Sequence, residues 1–178
     1  MGSGKSTVAA LLAQKTGCFY FDLDDTIEME EGRSIGEIFA SEGEAGFRTL
    51  EYEYLDRIIS DYSEFPTDMI IALGGGTLTT PACAELVKKH CTAVYLRAGG
   101  RQLVENLQTV GIANRPLFDG VDVNDAAAIA ERMHPLLEAR LPLYERYADT
   151  VIDTDGLSFD RIADLVADAA GHFQPEIQ

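Results

Sequence analysis

Apolar positions recur along this chain in two alternating periods, one helical and one extended. Val8, Leu11 and Leu12 share one helical face over residues 5–15, and Gly17 is a natural stop for that helix. Residues 19–23 are a short apolar run closed by acids, the pattern of a strand. Ser34, with Glu37 three residues on, makes a capping-box signature ahead of Ile35, Ile38 and Phe39. From 44 to about 60 the pattern is again helical, with Phe47, Leu50, Tyr54, Leu55 and Ile58 spaced by threes and fours. Residues 69–73 are continuously apolar up to Gly74, as expected of a strand buried on both faces of a parallel sheet. A short helix over 82–89, a second buried strand over 92–96 and a helix over 102–108 follow, then a loop over 109–123 containing Gly111, Pro116 and Gly120. Residues 126–147 read as mostly helix, which Pro135 and Pro142 must interrupt or reshape. A last strand is expected over 150–153 and a closing helix over 159–170.

Strands separated by helices predict an α/β three-layer domain with a parallel sheet, in which ligands bind at the carboxyl ends of the strands. The 178 residues show no repeat and no low-complexity linker, so 1–178 reads as one domain, large enough to bury a core without disulfides. With 30 acidic against 14 basic residues the net charge is -16, which argues against nucleic acid or an anionic membrane as partner. A site for an anionic ligand must therefore be a local concentration of Arg and Lys on an acidic body. Cys18, Cys83 and Cys91 are odd in number and form no C-x-x-C pair, so they read as reduced, mostly buried thiols. His90, His134 and His172 are scattered and give no metal-ligand spacing. No apolar run approaches ~18 residues and no charged-then-apolar leader opens the chain, which makes a cytoplasmic location the expectation.

The candidate chemistry begins at the first residues. Gly2, Ser3, Gly4, Lys5, Ser6 and Thr7 match the second half of a phosphate-binding P-loop and run straight into the first helix. Small residues let backbone N–H groups curl around phosphate oxygens, the lysine reaches the β- and γ-phosphates, and the hydroxyl takes a Mg²⁺ position. The motif's opening glycine, and the strand that feeds it, would fall before Met1. After the first visible strand, alternation would point Asp22 and Asp24 the same way, one carboxylate toward a metal and the other toward a substrate. Gly74, Gly75 and Gly76 follow the second strand in a turn where backbone can approach a ligand closely. Arg48, Arg115 and Arg140 each read alone as surface residues; their joint appearance with a P-loop is what gives them weight.

In order along the chain, GSGKST, FDLDDTIE, SIGEIFASEGEAGFRTLE, ALGGGT, NRPLF and ARLPLYE resemble the shikimate kinase family, from residue 2 to about residue 153. The resemblance implies a P-loop kinase sheet of order 2-3-1-4-5, transfer of the ATP γ-phosphate to the 3-hydroxyl of shikimate, and a place in aromatic amino acid (chorismate) biosynthesis. It implies ATP contacts from Gly2, Ser3, Gly4, Lys5, Ser6, Thr7 and Arg115, and Mg²⁺ held by Ser6 and Asp22. Catalysis is implied for Lys5, Asp24 and Arg115, and shikimate binding for Asp24, Arg48, Gly75, Gly76 and Arg140. Arg115 would lie on a lid at about 109–123. Family members usually carry a further basic residue at the start of that lid, on the adenine side; Asn106 and Gln108 stand at the candidate positions here. The family is usually monomeric, and a monomer is expected.

Two other readings share the P-loop: a kinase of another small metabolite, such as gluconate, and a nucleotide-binding module without catalysis. In the family order the strand that feeds the loop is central. The residues in hand therefore predict four parallel strands, with a gap at the middle of the sheet or a distortion that fills it. Each unpaired interior backbone group would cost of order 1–3 kcal/mol, so the domain as written is expected to be unstable or inactive.

Overall fold

A computed structural model describes residues 2–111, 118 and 120–171. Helix α1 (Lys5–Thr16) opens behind Gly4 and ends at Gly17; both glycines take left-handed backbone, at φ 78° and 74°. Strand β1 (Phe19–Asp22) leads into α2 (Leu23–Glu31), and α3 (Ile35–Tyr62) starts with the expected capping box between Ser34 and Glu37. The helix then runs past a break at Gly43, where φ is 71° and ψ is -175°, and so carries the segment expected to begin near 44. Strand β2 (Met69–Ala72), a 3-10 turn (Thr77–Thr79), α4 (Pro81–His90), β3 (Val94–Arg97) and α5 (Gly100–Val110) come next. The chain closes with α6 (Ala126–Tyr147), β4 (Thr150–Asp153) and α7 (Phe159–Ala169).

Two expectations need correction. Asp24 is not at a strand end: Asp22 leaves the strand and caps α2, its Oδ1 accepting from the N–H groups of Asp24 and Asp25. Asp24 therefore sits in a helix's first turn, where an acid also favours the helix dipole. Pro135 and Pro142 do not divide α6, which is a single helix of 22 residues. The carbonyls they deprive of a partner belong to Glu131 and Glu138, both exposed, so water can serve them.

The strands pair in parallel, as expected, but in two separate pairs. β1 lies on β2 from Phe19 opposite Met69 to Asp22 opposite Ala72, and β3 on β4 from Val94 opposite Thr150 to Arg97 opposite Asp153. No described strand joins β2 to β3. Between them runs a cavity of about 740 Å³, walled by residues 69–73 and 92–96 and by side chains of α1, α3, α6 and α7. A gap between the two strand pairs is what the sequence predicts.

The core divides around this cavity. Leu23, Ile27, Ile38, Phe47, Leu55 and Val87 join α2, α3 and α4 beneath β1 and β2. Val8, Leu12, Leu96, Ile152, Ile162 and Ala163 join α1 and α7 to β3 and β4, while Leu103, Leu107, Ile129 and Met133 join α5 to α6. Cys83 belongs to the first cluster, where burial, and then the charge of Glu51, pushes its thiol up to about 11. Cys83 is thus the buried thiol of the three, while Cys18 and Cys91 are only partly buried.

Candidate active site

The phosphate-binding end is formed where α1 begins. Gly2 has φ 73° and Gly4 φ 78°, a conformation that only glycine adopts without strain. Neither position has room for a side chain: a Cβ on Gly2 would meet the Leu103 carbonyl at 2.9 Å, and one on Gly4 would collide with the Phe159 ring. Ser3 is buried and Lys5 half-buried, and both line the cavity; Ser6 and Thr7 are exposed in the first turn of α1. Ser6 Oγ donates to Asp22 Oδ2 at 2.5 Å, so the hydroxyl and the carboxylate expected to serve a metal do meet. Asp22 thereby divides its oxygens between the α2 amides and Ser6.

The opposite end of the site is built on the glycine turn after β2. A Cβ on Gly74 would lie 2.8 Å from Asp24 Oδ1, 2.8 Å from Glu51 Oε1 and 3.0 Å from Thr77 Oγ1, which places Asp24 against the turn. A Cβ on Gly76 would collide with the Arg48 guanidinium. Arg48 is held by Glu51, whose Oε2 accepts from its Nη1, and by Glu44, whose Oε1 accepts from its Nη2 at 2.9 Å. Glu51 is fully buried, and its second oxygen accepts from Thr77 Oγ1 at 2.6 Å. Burial works against the charge of Arg48, but Glu51 and Glu44 together hold the guanidinium above its ordinary range. Arg48 Nε is buried without a hydrogen-bond partner, an orphaned donor that an incoming oxygen would satisfy.

Arg140, on α6, is half-buried and lines the same cavity as Lys5, Gly74 and Gly75. One turn on, Tyr144 Oη donates to the Gly75 carbonyl at 2.5 Å and so ties α6 to the glycine turn. Asp24 and Arg48 therefore meet the glycine turn, while Lys5 and Arg140 line the cavity beside it. Arg115 lies outside the described residues, with the rest of 112–117 and 119 of the segment expected to form a lid; residues 109–110 belong to α5. Asn106 Nδ2 donates to the Gly2 carbonyl at 2.6 Å, and Gln108 Nε2 to the Val123 carbonyl at 3.2 Å. Both candidate adenine-side residues thus brace backbone.

Sequence reasoning passed over Glu51, Thr77 and Tyr144. Glu51 stands three residues after Arg48 and Tyr144 four after Arg140, which are helical neighbours. That spacing was the available signal; the contacts with Thr77 and Gly75 cross 26 and 69 residues and had none.

Residues 1–170 match the shikimate kinase family. A shikimate kinase of Chlorobaculum parvum is 40% identical over 156 residues, covering 86% of this chain and 79% of that protein. One from Mycobacterium marinum is 38% identical over 154 residues, covering 86% of this chain and 76% of that protein. Among solved structures, the shikimate kinase of Acinetobacter baumannii in complex with shikimate superposes with a TM-score of 0.81 at 29% identity, covering 100% of this chain and 91% of that one. The shikimate kinase of Bacteroides thetaiotaomicron gives 0.83 at 25% identity, covering 96% and 94%. With most of its length matched in this way, and with a P-loop fold that packs Arg48 on a glycine turn, the chain belongs to the shikimate kinase family.

Proposed function

We propose that this chain is an ATP-dependent kinase that transfers the γ-phosphoryl group of ATP to the 3-hydroxyl of shikimate, giving shikimate 3-phosphate and ADP. The observation that carries the reading is the glycine turn after β2, against which Asp24 and Arg48 pack and to which Tyr144 ties the helix that bears Arg140. Family membership supplies the acceptor, and the family's place in aromatic amino acid biosynthesis supplies the setting.

Each proposed role follows from the chemistry of its residue. Arg48 and Arg140 grip the shikimate carboxylate, because a planar guanidinium meets a carboxylate with two parallel hydrogen bonds and fixes its orientation. The orphaned Arg48 Nε gains an acceptor in the process. Backbone at Gly75 and Gly76 closes against the ring. Asp24 accepts the proton of the attacking 3-hydroxyl as that oxygen bonds to the γ-phosphorus. The bond from phosphorus to the β–γ bridging oxygen breaks, and ADP leaves with its electron pair. Lys5 neutralises charge on the transferring group, and the backbone from Gly2 to Thr7 cradles the phosphates. Arg115 reaches the phosphates from the lid, whose closure keeps water from competing with the hydroxyl.

Ser6 and Asp22 fit Mg²⁺: they bring two hard oxygen donors together, and that ion commonly takes few protein ligands beside phosphates and water. Bound there, the ion would offset phosphate charge. No described helix is long and apolar enough to cross a membrane, and a monomer in the cytoplasm, without nucleic acid, fits a net charge of -16. The test is ADP release coupled to NADH oxidation, with shikimate supplied to the protein expressed from its upstream-completed gene. Shikimate-dependent turnover is expected; turnover on another hydroxy acid with none on shikimate would defeat the assignment.

A further inference from the structure

The glycine turn spends all three of its carbonyls within the protein. The Gly74 carbonyl accepts from Thr77 N–H at 3.3 Å, the Gly76 carbonyl from Thr79 N–H at 2.9 Å, and the Gly75 carbonyl from the Tyr144 hydroxyl at 2.5 Å. The first two bonds are local and belong to the 3-10 turn itself. The third comes from α6 and is the contact that sets the central peptide of the turn. That peptide is trans and planar, so its C=O and the N–H of Gly76 point in opposite directions. Holding the oxygen fixes where the Gly76 N–H is aimed.

Tyr144 is itself held in place. Its ring lies 5.2 Å from that of Tyr95 on β3, tilted by 42°. Arg140 stands one helical turn earlier on α6 and lines the same cavity, and the charges of Arg140 and Arg48 both reach the Tyr144 hydroxyl. One phenol therefore bonds to the glycine turn while the charges of both arginines of the site reach it. We propose that Tyr144 is a positioning residue for the acceptor: its hydroxyl locks the Gly75–Gly76 peptide and, by tying α6 to the turn, sets the Arg140 guanidinium in the arrangement that receives the substrate carboxylate. The inference rests on the reading of this pocket as the shikimate site. It concerns only how the pocket is held, since the hydroxyl points to a backbone carbonyl and takes no part in phosphoryl transfer.

The test is Tyr144→Phe in the full chain, which keeps the ring on Tyr95 and removes only the donor. KM for shikimate should rise about fivefold to tenfold, the effect of one lost hydrogen bond, while kcat and KM for ATP move less than about twofold. With the methyl ester of shikimate, which has no carboxylate charge to receive, the ratio of kcat/KM between wild type and variant should fall to about one. A KM for shikimate that does not change, whatever the melting temperature does, would overturn the inference, and so would a loss confined to kcat or an equal loss with the ester. Should the Phe variant be recovered unfolded, Tyr144→Met removes the donor with a side chain that adapts to the space, and the same outcomes apply. A wild-type chain without shikimate turnover would instead defeat the assignment of the pocket itself.

Discussion

Glu51 is the residue on which the geometry of Arg48 depends most, and Glu51→Gln isolates its charge. The glutamine keeps the volume and can still accept from Thr77, but Arg48 is left with Glu44 alone, whose side chain is 66% exposed. Breaking a buried ion pair by removing one partner costs about 3–5 kcal/mol. Glu51 is at 0% exposure but Arg48 keeps 16%, which together with the retained Thr77 bond puts the loss near the lower end, at about 3 kcal/mol. For 178 residues the unfolding entropy is about 0.37 kcal/mol/K, so the melting temperature should fall by roughly 8 °C. Adding Arg48→Met to Glu51→Gln removes the stranded cation, and the double variant should melt above the Glu51→Gln single. Circular dichroism melts of the wild type, both singles and the double give the coupling directly. Losses that add to within about 0.5 kcal/mol would refute a buried Arg48–Glu51 pair. In kinetics, the freed Arg48 of Glu51→Gln should raise KM for shikimate and leave KM for ATP unchanged.

Three further outcomes follow from the site. Asp24→Asn should lower kcat by about 10²–10⁴ while shikimate binding, followed by calorimetry, survives; equal losses in both would mean that Asp24 only positions the acceptor. Gly76→Ala places a methyl on the Arg48 guanidinium and should raise KM for shikimate by more than about tenfold, and an unchanged KM would contradict that packing. Three surface carboxylates are held below their usual range: Glu31 by hydrogen bonds from Arg33 and Tyr54, Glu37 by the Ser34 backbone N–H, and Asp153 by Arg97. Their contribution is complete above the unfolded values near ~4 and is lost as pH falls through the lower folded ones. Asp25, raised by burial and by Asp22 and Glu28, works in the opposite sense. The melting temperature should therefore drop as pH falls below about 4, and a flat profile there would contradict the three pairings.

What the chain revealed in advance was whatever is encoded locally. The P-loop, the Ser34–Glu37 box and the apolar runs of β2 and β3 each carry their signal within a few residues. The gap between the strand pairs was also legible, because the P-loop motif states what should precede it. Asp24 was misplaced because alternation was continued past Asp22, although an aspartate followed by two more acids is equally a cap with an acidic first turn. The prolines of α6 were given too much force, since the cost of a lost helical bond depends on whether water reaches the carbonyl, a property of the folded surface. Glu51, Thr77 and Tyr144 stayed hidden because their importance lies in partners on other elements.

A crystal structure of the full chain with shikimate and a non-hydrolysable ATP analogue tests most directly whether the two arginines and the paired acids serve one mouth. The account predicts the shikimate carboxylate between the Arg48 and Arg140 guanidinium groups, with the 3-hydroxyl at Asp24 facing Lys5 and the terminal phosphate. Shikimate bound elsewhere, or with its carboxylate turned away from both arginines, would contradict it.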